Sequence, residues 1–172
     1  FIGKHLLKKL VNSNKKEKVV AFTSKPLNNF EHLLHYNYNF DSNYFIDNNL
    51  ENITTLIHAG SFIPKSKEFV NDIIGSYSNI HSTTKLLSSD LPNLKKIIFI
   101  STVDVYGYDK VVTENTATDP VSMYGISKLY CEKLISTFCE REKIIFQILR
   151  IGHVYGPGEE NFNKIIPSML KK

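Results

Sequence analysis

Tyr124-Gly125-Ile126-Ser127-Lys128 sets a phenol and an ammonium four residues apart, on one face of any helix that contains them. A free phenol titrates near about pH 10 and is a poor base at neutral pH, and adjacent positive charge lowers that value. A phenolate tuned by Lys128 could take the proton of a sugar or alcohol hydroxyl while hydride leaves the same carbon. The same spacing also describes an ordinary exposed helical pair, so the chemistry depends on what converges with it. Upstream, Ile97-Ile98-Phe99-Ile100 runs into Ser101-Thr102 and then Val103-Asp104-Val105-Tyr106-Gly107. A short apolar run ending in hydroxyls reads as a buried parallel strand with polar side chains at its carboxyl end. Open α/β sheets bind ligands at that end. Thr102 is thereby placed to hydrogen-bond a substrate oxygen beside Tyr124.

Other segments alternate strand and helix, the pattern of a parallel sheet with covering helices. Residues 2–12 form an amphipathic helix on Leu6, Leu7, Leu10 and Val11, and Lys18 to Phe22 the next strand. Residues 36–40 suggest a weaker strand, inside an asparagine-rich stretch over 28–52 that reads as polar loops around a short helix. Thr54 to His58 is a buried strand, 66–89 a long helix and 122–142 the helix bearing Tyr124. Ile144 to Arg150 is a second buried strand, followed by the turn Ile151-Gly152-His153-Val154-Tyr155-Gly156-Pro157-Gly158. No internal repeat or long linker interrupts the series.

Composition narrows the class. The 172 residues are 42% hydrophobic and 12% aromatic, enough for one core. A net charge of +4 is mild, and the lysines are not interleaved with aromatics, which argues against nucleic-acid binding. Cys131 and Cys139 have neither zinc-knuckle nor redox-pair spacing, so free thiols in a reducing cytoplasm are expected. The histidines form no metal-ligand pattern, and no metal is expected. No apolar run approaches the roughly 18 residues that span a membrane.

Three blocks together resemble the extended short-chain dehydrogenase/reductase family, which contains nucleotide-sugar epimerases and dehydratases. They are Ser101 to Gly107, Pro120 to Lys128, and Leu149 to Gly158, in the family's order. Ile57-His58-Ala59-Gly60 and Asn79 extend the likeness, and Phe1-Ile2-Gly3 resembles the end of a Gly-x-x-Gly-Phe-Ile-Gly phosphate loop. The resemblance implies a Rossmann-like doubly wound parallel sheet lacking its first strand and most of a C-terminal substrate domain. Residues 1–158 would be a partial dinucleotide-binding domain and 159–172 the start of the substrate-binding region. On this reading the chain is a fragment that binds nicotinamide cofactor weakly or not at all.

The resemblance also implies site residues. Thr102, Tyr124 and Lys128 would be catalytic, and Ser101, Thr102, Asp104 and His153 would touch substrate. Gly3, Ser24, Lys25, Ala59, Gly60, Tyr124 and Lys128 would hold the cofactor, with Gly3 serving close helix–strand packing. Thr23-Ser24-Lys25 stands where an acid would accept the ribose hydroxyls of NAD, which tilts the expectation toward NADP over NAD. Dehydratases of the family carry an Asp-Glu pair after the threonine; here the positions are Val103 and Asp104, which counts against that mechanism. His153 replaces the usual asparagine. The expected function is NAD(P)-dependent epimerisation of a nucleotide-activated sugar, by a homodimer when full length. The alternatives are an NADPH-dependent reductase of a ketone or keto-sugar, and an inactive relic or dinucleotide sensor. Asp104, His153, Lys25 and Asn79 each keep an ordinary structural reading beside the functional one.

Overall fold

Seven residues of alternating pattern, Lys96–Thr102, form the middle strand of a three-stranded parallel sheet. A computed structural model describes residues 1–13, 18–23, 34–36, 40–108, 111–159 and 165–170. The expected cofactor residues Ser24 and Lys25 lie outside the described residues. Contacts divide the chain into two units, Phe1–Asn39 and Phe40–Lys172.

In the first unit, α1 (Ile2–Ser13) is followed by β1 (Val20–Phe22) and β2 (Leu34–Tyr36), which pair in parallel. The strand expected over 36–40 thus begins earlier. Gly3 lies in α1, and a Cβ built there would meet nothing within 4 Å. Among the described residues, none comes close enough to Gly3 to require a glycine there.

In the second unit the order is α2 (Tyr44–Asp47), β3 (Thr55–His58), α3 (Ile73–Leu87), β4 (Lys96–Thr102), α4 (Met123–Glu142), β5 (Ile145–Ile151) and α5 (Ile165–Leu170). Short 3-10 turns occupy Lys67–Phe69 and Val103–Tyr106. β4 pairs in parallel with β3 through Thr55↔Lys96 to His58↔Phe99, and with β5 through Lys96↔Ile145 to Thr102↔Ile151. β4 therefore has both edges satisfied, which suits its β-branched, half-apolar sequence. Its inward residues Ile97 and Phe99 are almost completely buried, with Val105, Cys131, Ile135 and Cys139 completing this core.

Two departures from the sequence expectations have clear causes. The helix expected over 66–89 starts only at Ile73, because Asp72 caps it, its carboxylate accepting from the Gly75 N–H at 2.9 Å. The backbone before that cap is committed elsewhere: the Val70 carbonyl accepts from the Tyr124 N–H at 3.0 Å. β5, expected to be buried, alternates between exposed and half-buried positions, with Ile145 66% and Leu149 42% exposed. Among the described residues it pairs with β4 along one edge and is the outer strand of its sheet.

Candidate active site

The hydroxyl-bearing end of β4 and the first two turns of α4 meet in the second unit. α4 begins where Ser122, in extended conformation, accepts from the Gly125 N–H at 3.0 Å. A second cap comes from Asn71, whose side-chain oxygen accepts from the Met123 N–H at 3.1 Å. Gly125 lets this helix end approach the strand end: a Cβ there would lie 2.7 Å from the Asp104 carbonyl oxygen and 3.0 Å from the Pro120 Cβ. Gly125→Ala is expected to cost about 1–3 kcal/mol, the usual penalty of overpacking, and thermal denaturation of the variant checks it.

Tyr124 is 7% exposed, with the side chains of Thr102, Ser61 and Asp104 near its phenol. Thr102 in turn donates to Asp104 Oδ2 at 2.9 Å and accepts from the Asp104 N–H at 3.2 Å. Thr102, Tyr124 and Asp104, all expected at the site, are thus brought together. The phenol is pushed up to about 12, first by burial and next by the Asp104 carboxylate, while the Thr102 and Ser61 hydrogen bonds pull it down. The lowering expected from Lys128 is not among these causes. The ammonium is turned elsewhere, donating to the Ile100 carbonyl at 2.7 Å and lying 4.2 Å from the Phe99 ring centroid. Its other donor contact is Ser61 Oγ, at 3.5 Å.

Lys128 itself is 2% exposed. Burial pulls its ammonium down to about 8, with Cys131 and Glu132 opposing. Between about pH 8 and the ordinary lysine value of 10.5, the unfolded chain holds this proton and the folded one does not. Stability contributed through Lys128 therefore rises with pH across that window. Cys139 (pushed up to about 11) and Tyr124 act in the opposite sense, since their folded forms retain protons that the unfolded chain releases. The difference between the wild type and Lys128→Met isolates the lysine. Denaturant midpoints between pH 7.5 and 10 should climb more steeply, or fall less, in the wild type.

Ser101 does not face the substrate side. It is buried and donates to Glu132 Oε1 at 2.5 Å. Glu132 also accepts from Arg150, whose Nε lies 3.1 Å from Oε1 and Nη2 2.8 Å from Oε2. The Arg150 guanidinium lies 4.7 Å from the Tyr106 ring centroid, and the Glu132 hydrogen bond raises its already high pKa. Alternation along β4 gives the reason: Ser101 continues the buried Ile97–Phe99 face onto α4, away from the strand tip. Ser101 is thus a structural anchor here, in place of the expected substrate contact.

His58 is half-buried and neutral, held down to about 3 first by desolvation of its ring and then by Lys128, and its Nε2 is 2.9 Å from the Thr83 hydroxyl. Asn79 ties down backbone: Phe62 N–H donates to its Oδ1 at 2.6 Å, and its Nδ2 donates to the Phe62 carbonyl and the Ser127 hydroxyl, each at 3.2 Å. Ala59 and Gly60 follow β3, and a Cβ on Gly60 would meet nothing within 4 Å, leaving its backbone open to approach. His153 is exposed beyond β5, without a hydrogen bond to Tyr124, Thr102 or Lys128 among the described residues. No cluster of metal-ligating side chains occurs among the described residues.

Sequence reasoning did not find Ser61, Glu132 or this role for Arg150. Glu132 carried a readable signal, since it continues the Tyr124–Lys128 stripe by one more turn of α4. Ser61 carried none, because its place depends on how the loop after β3 folds back over α4.

A family model described as "NAD dependent epimerase/dehydratase family" matches residues 1–172. Among curated proteins, the chain is 29% identical over 192 residues to the "Uncharacterized UDP-glucose epimerase YtcB" of Bacillus subtilis, covering 100% of this chain and 60% of that one. It is 26% identical over 196 residues to the "dTDP-D-glucose 4,6-dehydratase" of Dictyostelium discoideum, covering 99% and 45%. Among solved structures it superposes on the UDP-glucuronic acid 4-epimerase from Bacillus cereus in complex with NAD, with a TM-score of 0.79, 27% identity, and coverage of 99% of this chain and 60% of that one. The fold is thereby Rossmann-like, and the chain spans about half the length of the curated relatives it matches.

Proposed function

The chain belongs to the NAD dependent epimerase/dehydratase family, and from that premise we propose that its site serves the 4-epimerisation of a nucleotide-activated sugar. One observation carries the reading. A buried phenol, Tyr124, lies beside a strand-end hydroxyl, Thr102, and its helix also carries a buried ammonium, Lys128.

The donor set suits a nicotinamide cofactor. Ser61, Tyr124 and Lys128 gather hydroxyl and ammonium donors near the carboxyl ends of β3 and β4, and Gly60 leaves backbone open beside them. Lys128 and Tyr124 would hold the ribose, and Ala59 and Gly60 would line its approach. When bound, an oxidised nicotinamide supplies a reversible hydride acceptor and a fixed positive charge. Relatives solved with NAD support NAD over the NADP that Thr23 suggested.

Tyr124 moves the proton. As a phenolate it takes the proton from the sugar's 4-hydroxyl; as a phenol it returns it once the sugar has presented its other face. Thr102 orients that oxygen, and Asp104, exposed at the strand tip and hydrogen-bonded to Thr102, holds the threonine hydroxyl in place. Val103 cannot transfer a proton, which favours epimerisation over water elimination. A homodimer, a cytoplasmic location and a substrate-binding region beginning at residue 159 complete the proposal. Free buried thiols at Cys131 and Cys139 suit a reducing compartment.

The test is incubation of the full-length protein with UDP-glucose and catalytic NAD. UDP-galactose formed without accumulation of NADH supports the proposal. Net consumption of NADPH with a keto-sugar would point to a reductase instead, and no turnover with either would reject both.

A further inference from the structure

We propose that Asn71 is a positioning residue for Tyr124: with Val70 it clamps the first turn of α4, so that a loop outside the helix fixes where the phenol points. The first amides of a helix have no partner within it. In α4 the Met123 N–H donates to Asn71 Oδ1 at 3.1 Å, and the Tyr124 N–H donates to the Val70 carbonyl at 3.0 Å. The Ser122 side chain serves the next amide, that of Gly125, at 3.0 Å. The backbone of Tyr124 is thus held from a segment about fifty residues upstream in the chain. Asp72, the next residue, caps α3 by accepting from the Gly75 N–H at 2.9 Å. Adjacent side chains therefore start two different helices, and the start of α3 is tied to the start of α4.

Tyr124 is the second residue of α4, in the turn where a helix ordinarily frays. Its side-chain direction follows from the backbone of that turn, so whatever holds the turn also aims the phenol. The same turn meets the tip of β4, where a Cβ on Gly125 would lie 2.7 Å from the Asp104 carbonyl oxygen. Strand tip and loop together leave the turn little freedom. The loop is itself fixed upstream: Asn79 binds both polar groups of Phe62, and a Cβ on Gly75 would lie 2.7 Å from the Phe62 ring. Asn71 is exposed, so it acts through the backbone of Tyr124, and its removal leaves the core intact. Displacing a reacting group by about 1 Å can cost about 10²-fold in rate. One exposed acceptor can therefore govern a buried phenol.

The inference rests on the proposed role of Tyr124, but its decisive readouts do not need turnover. In the full-length protein, Asn71→Ala should speed hydrogen exchange of the Met123 and Tyr124 amides by about tenfold or more. The 13C resonance of the Tyr124 ζ carbon, assigned by its loss in Tyr124→Phe, should shift at pH 7. Asn71→Asp keeps an acceptor that suits a helix N-terminus and should restore both. Asp72→Ala, which removes the neighbouring cap on α3, is the structural control and should leave the Tyr124 resonance in its wild-type place. With UDP-glucose and NAD, kcat of Asn71→Ala should fall by about 10- to 10²-fold at nearly constant KM. Unchanged exchange or an unmoved resonance in Asn71→Ala would overturn the clamp. So would an equal shift in Asp72→Ala, failure of Asn71→Asp to restore the signals, or a loss carried by KM alone. A protein without turnover of UDP-glucose that shows the exchange and resonance response would sink the proposed activity and leave this inference standing.

Discussion

In the full-length protein, Tyr124→Phe is expected to lower turnover of the nucleotide sugar by about 10²- to 10⁴-fold, the range that a positioned acid or base supplies. NAD affinity, read by calorimetric titration, should change little, because only one hydroxyl among several donors is removed. The phenol is buried, and its ring keeps its place against the end of β4, so phenylalanine fills the same volume. What disappears is the hydroxyl that carries the proton. Because burial and Asp104 push the phenol up to about 12, nearly all molecules hold it protonated at neutral pH in the absence of added positive charge. Turnover should therefore climb with pH as the phenolate fraction grows, and this rise should vanish from the residual activity of Tyr124→Phe. Full turnover in that variant would remove the proposed acid–base role.

Arg150→Met should destabilise the protein by about 3–5 kcal/mol, the cost of leaving one partner of a buried ion pair without the other. Glu132 has a side chain only 3% exposed, and Arg150 supplies it with donors at two nitrogens. Without them the carboxylate keeps, among the described residues, the hydrogen bond from the Ser101 hydroxyl at 2.5 Å. The pair joins β4, α4 and β5, so its loss should also loosen the placement of Tyr124 and Lys128 on the strand tip. Urea denaturation measures the loss. The paired replacement Glu132→Leu with Arg150→Met removes both charges and should recover much of it, since apolar substitution of a whole ion pair is often close to neutral. A single variant as stable as the wild type would mean that Arg150 is dispensable to this core.

Much of the site was legible before any coordinates. Tyr124, Thr102 and Lys128 were named from residue type and spacing and Asp104 from the family resemblance; the structure sets Thr102 against Asp104 near Tyr124 and turns the Lys128 ammonium to the Ile100 carbonyl. The spacing misled in one respect. Residues four apart share a helix face, but a long flexible lysine chooses among acceptors from several elements, and here the Ile100 carbonyl takes it. Ser101 misled for a related reason: it neighbours Thr102 in sequence, yet strand alternation directs it into the core. Ser24 and Lys25 bear on the choice between NAD and NADP, which is argued above from relatives.

Local sequence determined the alternation of strand and helix, the caps at Asp72 and Ser122, and the buried stripe along α4. All of these rest on contacts within a few residues, where periodicity and backbone propensity decide the outcome. The tertiary structure alone decided that Glu132 and Arg150 pair, that the Lys128 ammonium turns to the Ile100 carbonyl, and that the backbone before Asp72 is held by Tyr124. Each of those joins segments far apart in the chain, and their meeting depends on the packing of α4 against β4, which no local pattern records.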